Sequence, residues 1–170
     1  MNAGYGYAIT VVPKWEGLPI QVLQDKQGNW VMFDVGLALA NRGKGIARDI
    51  YMNCTVSGVG PYLEVQREAT DKRFSGGHAF GFITNLISSG DFRLAPEGFI
   101  QPIVLHVKMK PPFNAPFSIG LSVGAEGQMP MKGTISRTEE ELAFLYKEVM
   151  AGRSDSFMER FLKVDTDRSQ

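Results

Sequence analysis

Glycines alternate with basic residues in the segment NRGKG at positions 41–45, a composition that can bind phosphate. A Walker A loop requires GxxxxGK[ST] between a strand and a helix, and a dinucleotide fingerprint requires GxGxxG in the same setting. The segment has neither pattern, and a strand-like run follows it, so no helix dipole would face a phosphate. Asn41, Gly43 and Gly45 suit left-handed turn positions. We therefore predict a structural connection between two strands. The alternative is a small basic patch formed by Arg42, Lys44 and Arg48.

The two histidines and the single cysteine form no recognisable catalytic or metal-binding motif. His78 lies in RFSGGHAFG, which we predict as a loop, and the serine there is not part of a GxSxG elbow. His106 falls on the polar side of an alternating run, so both histidines are expected at a surface or an interface. Cys54 alternates in phase with apolar residues, which predicts a buried side chain and not a nucleophile.

Asp34 and Asp49 are two acidic residues that could serve as a general acid and a general base if they lay close together. Each falls on the outward side of a different predicted strand, so we interpret both as solvated or turn-supporting charges. The sequence therefore predicts no catalytic residue, no metal site and no cofactor, and we do not expect an enzyme.

The charges of the chain balance. Lys and Arg total 18 and Asp and Glu total 18, so the formal net charge is zero at pH 7. This balance counts against nonspecific binding to nucleic acid or to an anionic membrane. The lone cysteine, the lack of a signal-like start and the lack of a long apolar run predict a cytoplasmic protein with no membrane partner. A local patch remains the alternative, with these candidate phosphate contacts: Arg42, Lys44, Arg48, Arg67, Lys72 and Arg73.

Strand patterning dominates the chain up to about residue 136. Apolar residues alternate with polar or small ones in eight or nine runs, and turns rich in glycine and proline separate these runs. The clearest runs are 31–39, 50–56, 99–109 and 117–123. This spacing predicts an all-β antiparallel fold, either a sandwich or a closed barrel. No helical pattern lies between the strands, which argues against a βαβ nucleotide-binding fold.

A proline-rich segment, KMKPPFNAPF, joins two of these runs. We interpret it as a rigid connection whose phenylalanines cap the core. The alternative is a docking loop formed by Pro111, Pro112 and Phe113, because a rigid apolar loop can present a binding surface.

The hydrophobic period changes near the end of the chain. Thr138 and Glu141 have the spacing of a capping box, apolar residues then recur at helical spacing, and Gly152 stands where a helix-ending glycine belongs. Ser156 with Glu159 is a second, weaker box before a short helix. We therefore predict a β-sandwich over residues 1–137 and C-terminal helices over 138–164, packed on or beside it.

The segment FDVGLALANRGKGIARDIYMNCTV resembles a signature of immunoglobulin-like bacterial sandwich domains, in which Asn-x-Gly ends one strand and Ala-x-Asp-Ile opens the next. The later order FRLAPEG, PIVLHVKMK, FSIGLSVGAEGQMPMKGTISRTEEEL is similar to the end of such domains where they are appended to a larger protein. Among these are C-terminal accessory domains of Schlafen/AlbA-type candidate nucleic-acid-binding proteins. The resemblance covers roughly residues 30–145 and implies an immunoglobulin-like, antiparallel sandwich. It carries over no catalytic residue and implies an accessory or recognition domain.

Three functions follow as expectations. The first is a non-enzymatic protein-interaction or accessory domain of a bacterial cytoplasmic protein, with a protein or a domain of the parent chain as partner. The second is a nucleic-acid-binding module that uses the basic residues named above. The third is a small-ligand or glycan-binding sandwich with a pocket near His78.

Overall fold

The computed structural model describes residues 9–14, 20–79, 83–128, 130–154 and 157–161, and strands predominate over this part of the chain. In chain order the described elements are β1 (Ile9–Lys14), β2 (Gln21–Asp25), β3 (Gly28–Asn41), β4 (Tyr51–Ser57), β5 (Leu63–Ala69), β6 (Phe74–Ala79), β7 (Ile83–Ser88), β8 (Phe99–Met109), β9 (Phe117–Gly124), β10 (Met131–Arg137), α1 (Glu139–Met150) and α2 (Phe157–Phe161). The prediction of a mostly β chain with C-terminal helices is confirmed. Neither described helix is long and apolar enough to cross a membrane.

The described strands form two antiparallel sheets. In the first sheet, β3 pairs with β8 and β8 pairs with β5, while β1 and β2 share the other side of β3. This sharing is possible because β3 has 14 residues. Its first part pairs with β2 and its last part with β1. The second sheet has the order β10-β9-β4-β7-β6.

One hydrophobic core lies between the sheets. Alternate residues of β3 from Val31 to Leu39 are buried, as are those of β4 and β9. This alternation was predicted, because successive side chains of a strand point to opposite faces. Cys54 belongs to this core, and burial raises the pKa of its thiol to about 12. The prediction that Cys54 is buried is confirmed.

The C-terminal helices contribute to the same core. Thr138 and Glu141 form the predicted capping box at the start of α1, and Gly152 follows its end with φ 79°. In α2, Phe157 and Phe161 are buried against Phe33 of β3, with ring centroids 4.9 and 4.7 Å apart. The second predicted capping residue, Ser156, lies outside the described residues.

The segment around His78 is the strand β6, so the prediction of a loop was wrong. β6 pairs with β7 from Phe74↔Ser88 to Ala79↔Ile83, and His78 pairs with Thr84. Ser75, Gly76 and Gly77 have weak strand propensity, which hid the strand in the sequence, but pairing with a neighbouring strand overrides propensity. The side chain of His78, and with it the ligand pocket predicted near it, lies outside the described part of the structure.

The NRGKG segment is a connection between strands, as predicted, but its turn chemistry differs from the prediction. Over the described part of the chain, the non-glycine residues with positive φ are Asp49 and Glu97. Asn41, Gly43 and Gly45 do not have a left-handed backbone. Instead the buried side chain of Asn41 holds the loop: its Oδ1 accepts from the Gly43 N–H, and its Nδ2 donates to the carbonyls of Gly45 and Leu94. The side chain of Asn41 therefore stabilises this loop, in place of the left-handed backbone turn that we predicted.

We expect Asn41→Ala to lower the free energy of unfolding by about 2 kcal/mol, because it removes three hydrogen bonds of a fully buried side chain and leaves a cavity. Urea titration followed by circular dichroism measures the loss. Asn114→Ala, at an exposed loop position, is the control and should change stability by less than about 0.5 kcal/mol. Equal effects of the two substitutions would contradict the bracing role of Asn41.

Candidate functional site

Five of the six predicted basic residues lie on loops at one end of the molecule. Arg42, Lys44 and Arg48 lie between β3 and β4, and Lys72 and Arg73 lie between β5 and β6. The 89–98 loop connects the two groups, because Ala47 pairs with Leu94 and the Ser89 N–H donates to the Arg73 carbonyl. Two of the five cations are already paired: Arg48 with Glu126 at 2.6 Å and Arg73 with Asp71 at 2.7 Å.

Arg67, the sixth basic residue, lies apart from the loops. It is on β5 in phase with Leu63, which is buried, and its Nη1 is buried with no hydrogen-bond partner among the described residues. An inward-pointing charge on an edge strand discourages further strand pairing at that edge.

The predicted docking loop is partly committed to packing. The ring of Phe113 is half-buried and lies 5.9 Å from the ring of Tyr146 on α1, while Pro111 and Pro112 are exposed. Phe117 is fully buried. The loop therefore joins the strands to α1 and leaves its two prolines at the surface.

The strongest polar constellation lies on the outer face of the first sheet. His106 of β8 stands in register between Asp34 of β3 and Gln66 of β5. Its Nδ1 lies 2.6 Å from Asp34 Oδ1, and its Nε2 lies 2.8 Å from Glu68 Oε2. Glu68 is two residues beyond Gln66 and reaches the imidazole diagonally across the pleat. One imidazole thus links β3, β8 and β5.

The two carboxylates set the ionisation of this histidine. The hydrogen bond that Glu68 accepts, followed by the one that Asp34 accepts, raises the pKa of His106 above the ordinary value of about 6.5. In the protonated state both ring nitrogens donate, one to each carboxylate. A histidine held in this way has no lone pair to accept a proton or to bind a metal.

The outer groove, as we name it, surrounds His106 and has a volume of about 600 Å³. Its lining comes from β2, β3, β5 and β8 and carries carboxylates, amides, an imidazole and an ammonium group. The lining residues are Gln21, Met32, Phe33, Asp34, Glu64, Gln66, His106, Val107 and Lys108. Among the described side chains, no group of three or more His, Cys, Asp or Glu residues is placed to hold a metal ion.

A buried tryptophan lies beside Lys108 at the edge of the outer groove. The ammonium groups of Lys108 and Lys110 lie 4.4 and 5.0 Å from the centroid of the Trp30 indole, whose Nε1 donates to Asp25 at 2.8 Å. Lys108 also lies 3.6 Å from Glu64. The cation–π contacts hold these lysines against the sheet, so Lys108 has a fixed position at the edge of the outer groove.

The sequence analysis did not identify this constellation. His106 was placed correctly on the polar side of its strand, but Asp34 was interpreted as solvated, and Asp49 was assigned to a strand although it lies in a loop with φ 51°. Asp34, His106 and Glu68 are separated by 34 to 72 positions in the chain. The sequence did show a polar residue on each of three strands. Which of these residues meet depends on the order of the strands in the sheet, and the sequence does not determine that order.

We expect His106→Gln to destabilise the protein in a pH-dependent way. A folded pKa above the unfolded one means that the stabilisation is fully present below about pH 6.5 and is lost as pH rises through the folded pKa. The loss at pH 6 should be about 1 kcal/mol, because the side chains of His106 and Asp34 are 37% and 38% exposed and solvent screens the pair. Urea unfolding of both proteins between pH 5.5 and 9 measures it. A difference that does not change with pH would contradict the ionic link.

No family model matches the chain, and no curated protein matches it. Three solved structures are similar to it at low identity. A candidate ApaA protein from Bordetella pertussis is 13% identical, with 79% of this chain and 94% of that chain covered and a TM-score of 0.34. AvmM, which catalyses macrocyclization in alchivemycin A biosynthesis, is 10% identical, with 75% and 88% covered and a TM-score of 0.32. A GH20 exo-β-N-acetylglucosaminidase from Vibrio harveyi is 15% identical, with 75% and 17% covered and a TM-score of 0.30. Likenesses of this size carry no argument about the activity of the chain.

Proposed function

We propose that this chain is a non-enzymatic protein-interaction or accessory domain, built as an immunoglobulin-like sandwich and belonging to a bacterial cytoplasmic protein. The accessory role follows the resemblance to domains appended to Schlafen/AlbA-type proteins. The observation that carries the proposal is the outer groove, a concave polar surface whose one histidine is held on both nitrogens by carboxylates.

The side chains best suited to catalysis are engaged or shielded. General base catalysis needs a free lone pair within reach of the substrate, and both nitrogens of His106 face carboxylates at hydrogen-bond distance. Nucleophilic catalysis by cysteine needs a thiolate, and the Cys54 thiol is buried with a pKa of about 12. These facts favour binding over chemistry.

The face of the first sheet is a better docking surface than its edge. In the described structure β5 pairs with β8 and ends the sheet. That edge carries Glu64 and Glu68 on one side and the inward Arg67 on the other, and such charges discourage the addition of a further strand. Glu64 and Gln66 are exposed on the outer face, where a partner reaches them without pairing with the edge. We therefore place the partner on the face.

Capture of partners from a lysate of the source cells by the immobilised chain tests the proposal. The groove variant carries Glu64→Lys and Gln66→Lys. The control carries Glu97→Lys and Glu159→Lys, two charge reversals at exposed positions outside the outer groove. We expect one protein to be retained by the wild type and the control but not by the groove variant, with nuclease present. Retention of no protein, or retention that nuclease abolishes, would contradict the interaction role.

Nucleic-acid binding is the second candidate, and the gathering of five basic residues at one end of the molecule favours it. Arg42, Lys44 and Lys72 are exposed on these loops. Affinity that depends on phosphate contacts falls steeply as the salt concentration rises. Each contact adds about one to the slope of log affinity against log salt concentration. We expect a variant with Arg42→Ala and Lys44→Ala to reduce the slope by about two if this candidate is correct. A slope that the double substitution leaves unchanged would count against it.

A further inference from the structure

We propose that the outer groove binds an extended basic segment of a partner protein, whose arginine takes the place of protonated His106 between Asp34 and Glu68. This inference rests on the proposed interaction role and names the chemistry of the partner. It also predicts that binding is coupled to loss of the histidine proton.

The charges of the face favour a cationic guest. Four carboxylates, those of Asp25, Asp34, Glu64 and Glu68, share the face with three cations, Lys108, Lys110 and protonated His106. Lys108 is held beside Glu64 and the Trp30 ring. Among the described residues, His106 is the cation that contacts Asp34 and Glu68. Loss of its proton leaves these two carboxylates in excess.

A guanidinium is suited to replace the imidazolium. Both are planar cations that donate hydrogen bonds outward from nitrogens on either side of a central carbon, and a guanidinium pairs well with carboxylates. Asp34 and Glu68 already accept from opposite sides of one planar ring. The carboxylate side chains of Asp34 and Glu68 are 38% and 61% exposed, so a guest reaches them from solvent.

Extended backbone fits the shape of the surface. The outer groove is lined along its length by residues of β8, from His106 to Lys108, and by Glu64 and Gln66 of β5. Gln66 and Gln21 supply amide donors and acceptors for a peptide backbone, and the thioether of Met32 supplies an adaptable apolar floor. A nucleic acid would meet the carboxylates with its phosphates, so its binding here is disfavoured.

Competition with the proton fixes the sign of the pH dependence. The guest and the His106 proton cannot both satisfy Asp34 and Glu68, so binding releases a proton. Below the pKa of His106 the affinity falls by up to tenfold for each pH unit, and above it the affinity levels off. The nearby groups that titrate or carry charge are Asp34 of β3, Glu64 and Glu68 of β5 and Lys108 of β8.

The test uses hexa-arginine labelled at its amino terminus with tetramethylrhodamine, whose charge is constant across this range, with hexaglutamate and an oligonucleotide as comparison probes. Fluorescence anisotropy between pH 6 and 9 gives the affinities. We expect the wild type to bind hexa-arginine at least about fourfold more tightly at pH 9 than at pH 6, because a pKa above 6.5 leaves His106 mostly protonated at pH 6. His106→Gln should bind more tightly than the wild type at pH 6 and should vary less than about twofold with pH.

Two further variants locate the binding. Asp34→Asn with Glu68→Gln should weaken hexa-arginine binding at least tenfold at every pH, whereas Glu126→Gln, at the far end of the molecule, should leave it unchanged. Absence of binding, an unchanged affinity in the double variant, the same pH dependence in His106→Gln, or tighter binding of hexaglutamate or the oligonucleotide would each overturn this inference. A partner captured from lysate that depends on the outer groove would still support the interaction role, so the two failures are distinguishable.

Discussion

Replacing Phe161 with alanine should lower the free energy of unfolding by about 3 to 5 kcal/mol. Phe161 is fully buried, and its ring lies 4.7 Å from Phe33 of β3 and 5.7 Å from Phe117 of β9. A single side chain of α2 thus fills space between strands of both sheets. Removing it leaves a cavity that the surrounding aromatic rings fill only in part.

Guanidinium titration followed by circular dichroism and by intrinsic fluorescence measures this loss. Because the helix and the sheets share one core, both signals should move to lower denaturant together, as expected for a two-state transition. Phe144→Ala is the matched control: Phe144 lies on α1 and is 47% exposed, so its loss should be below about 1 kcal/mol. Loss of the helical signal alone, with the sheet transition unchanged, would mean that the helices are an appendage.

The sequence predicted those parts of the fold that local pattern determines. The alternation of Val31, Phe33 and Val35 placed them on one face, and Thr138 with Glu141 placed the start of α1. These features depend on residues a few positions apart, so hydrophobic period and capping chemistry are sufficient to find them.

The parts that the sequence missed depend on which strands become neighbours. His106, Asp34 and Glu68 meet because β8 lies between β3 and β5, an order that is independent of alternation along any one strand. Asn41 illustrates the same limit within a loop, since one of its amide bonds reaches Leu94 from 53 positions away. Long-range pairing therefore determined the candidate site, while local pattern determined the elements that carry it.

Among the glycines that the structure describes, Gly76 has the least room for a side chain. A Cβ at this position would lie 1.8 Å from the carbonyl oxygen of Asn85 on β7, far inside contact distance. We expect Gly76→Ala to destabilise the protein by about 3 kcal/mol, because the β6–β7 pair must separate to relieve the overlap. The close approach of the two strands also explains why glycine occupies position 76 although glycine has weak strand propensity.

The adjacent Gly77 provides the control. A Cβ at Gly77 meets no atom within 4 Å, so Gly77→Ala should be neutral or should stabilise the strand by up to about 1 kcal/mol through the lower entropy of the unfolded chain. Thermal unfolding followed by circular dichroism compares the two variants, and hydrogen exchange of the β7 amides reports the local separation. The predicted signature is rapid exchange at Asn85 and Ile87, whose amides face β6, in Gly76→Ala alone. Equal melting temperatures for the two variants would mean that β6 does not approach β7 as closely as its register requires, and that the SGG segment is the loop its composition indicated.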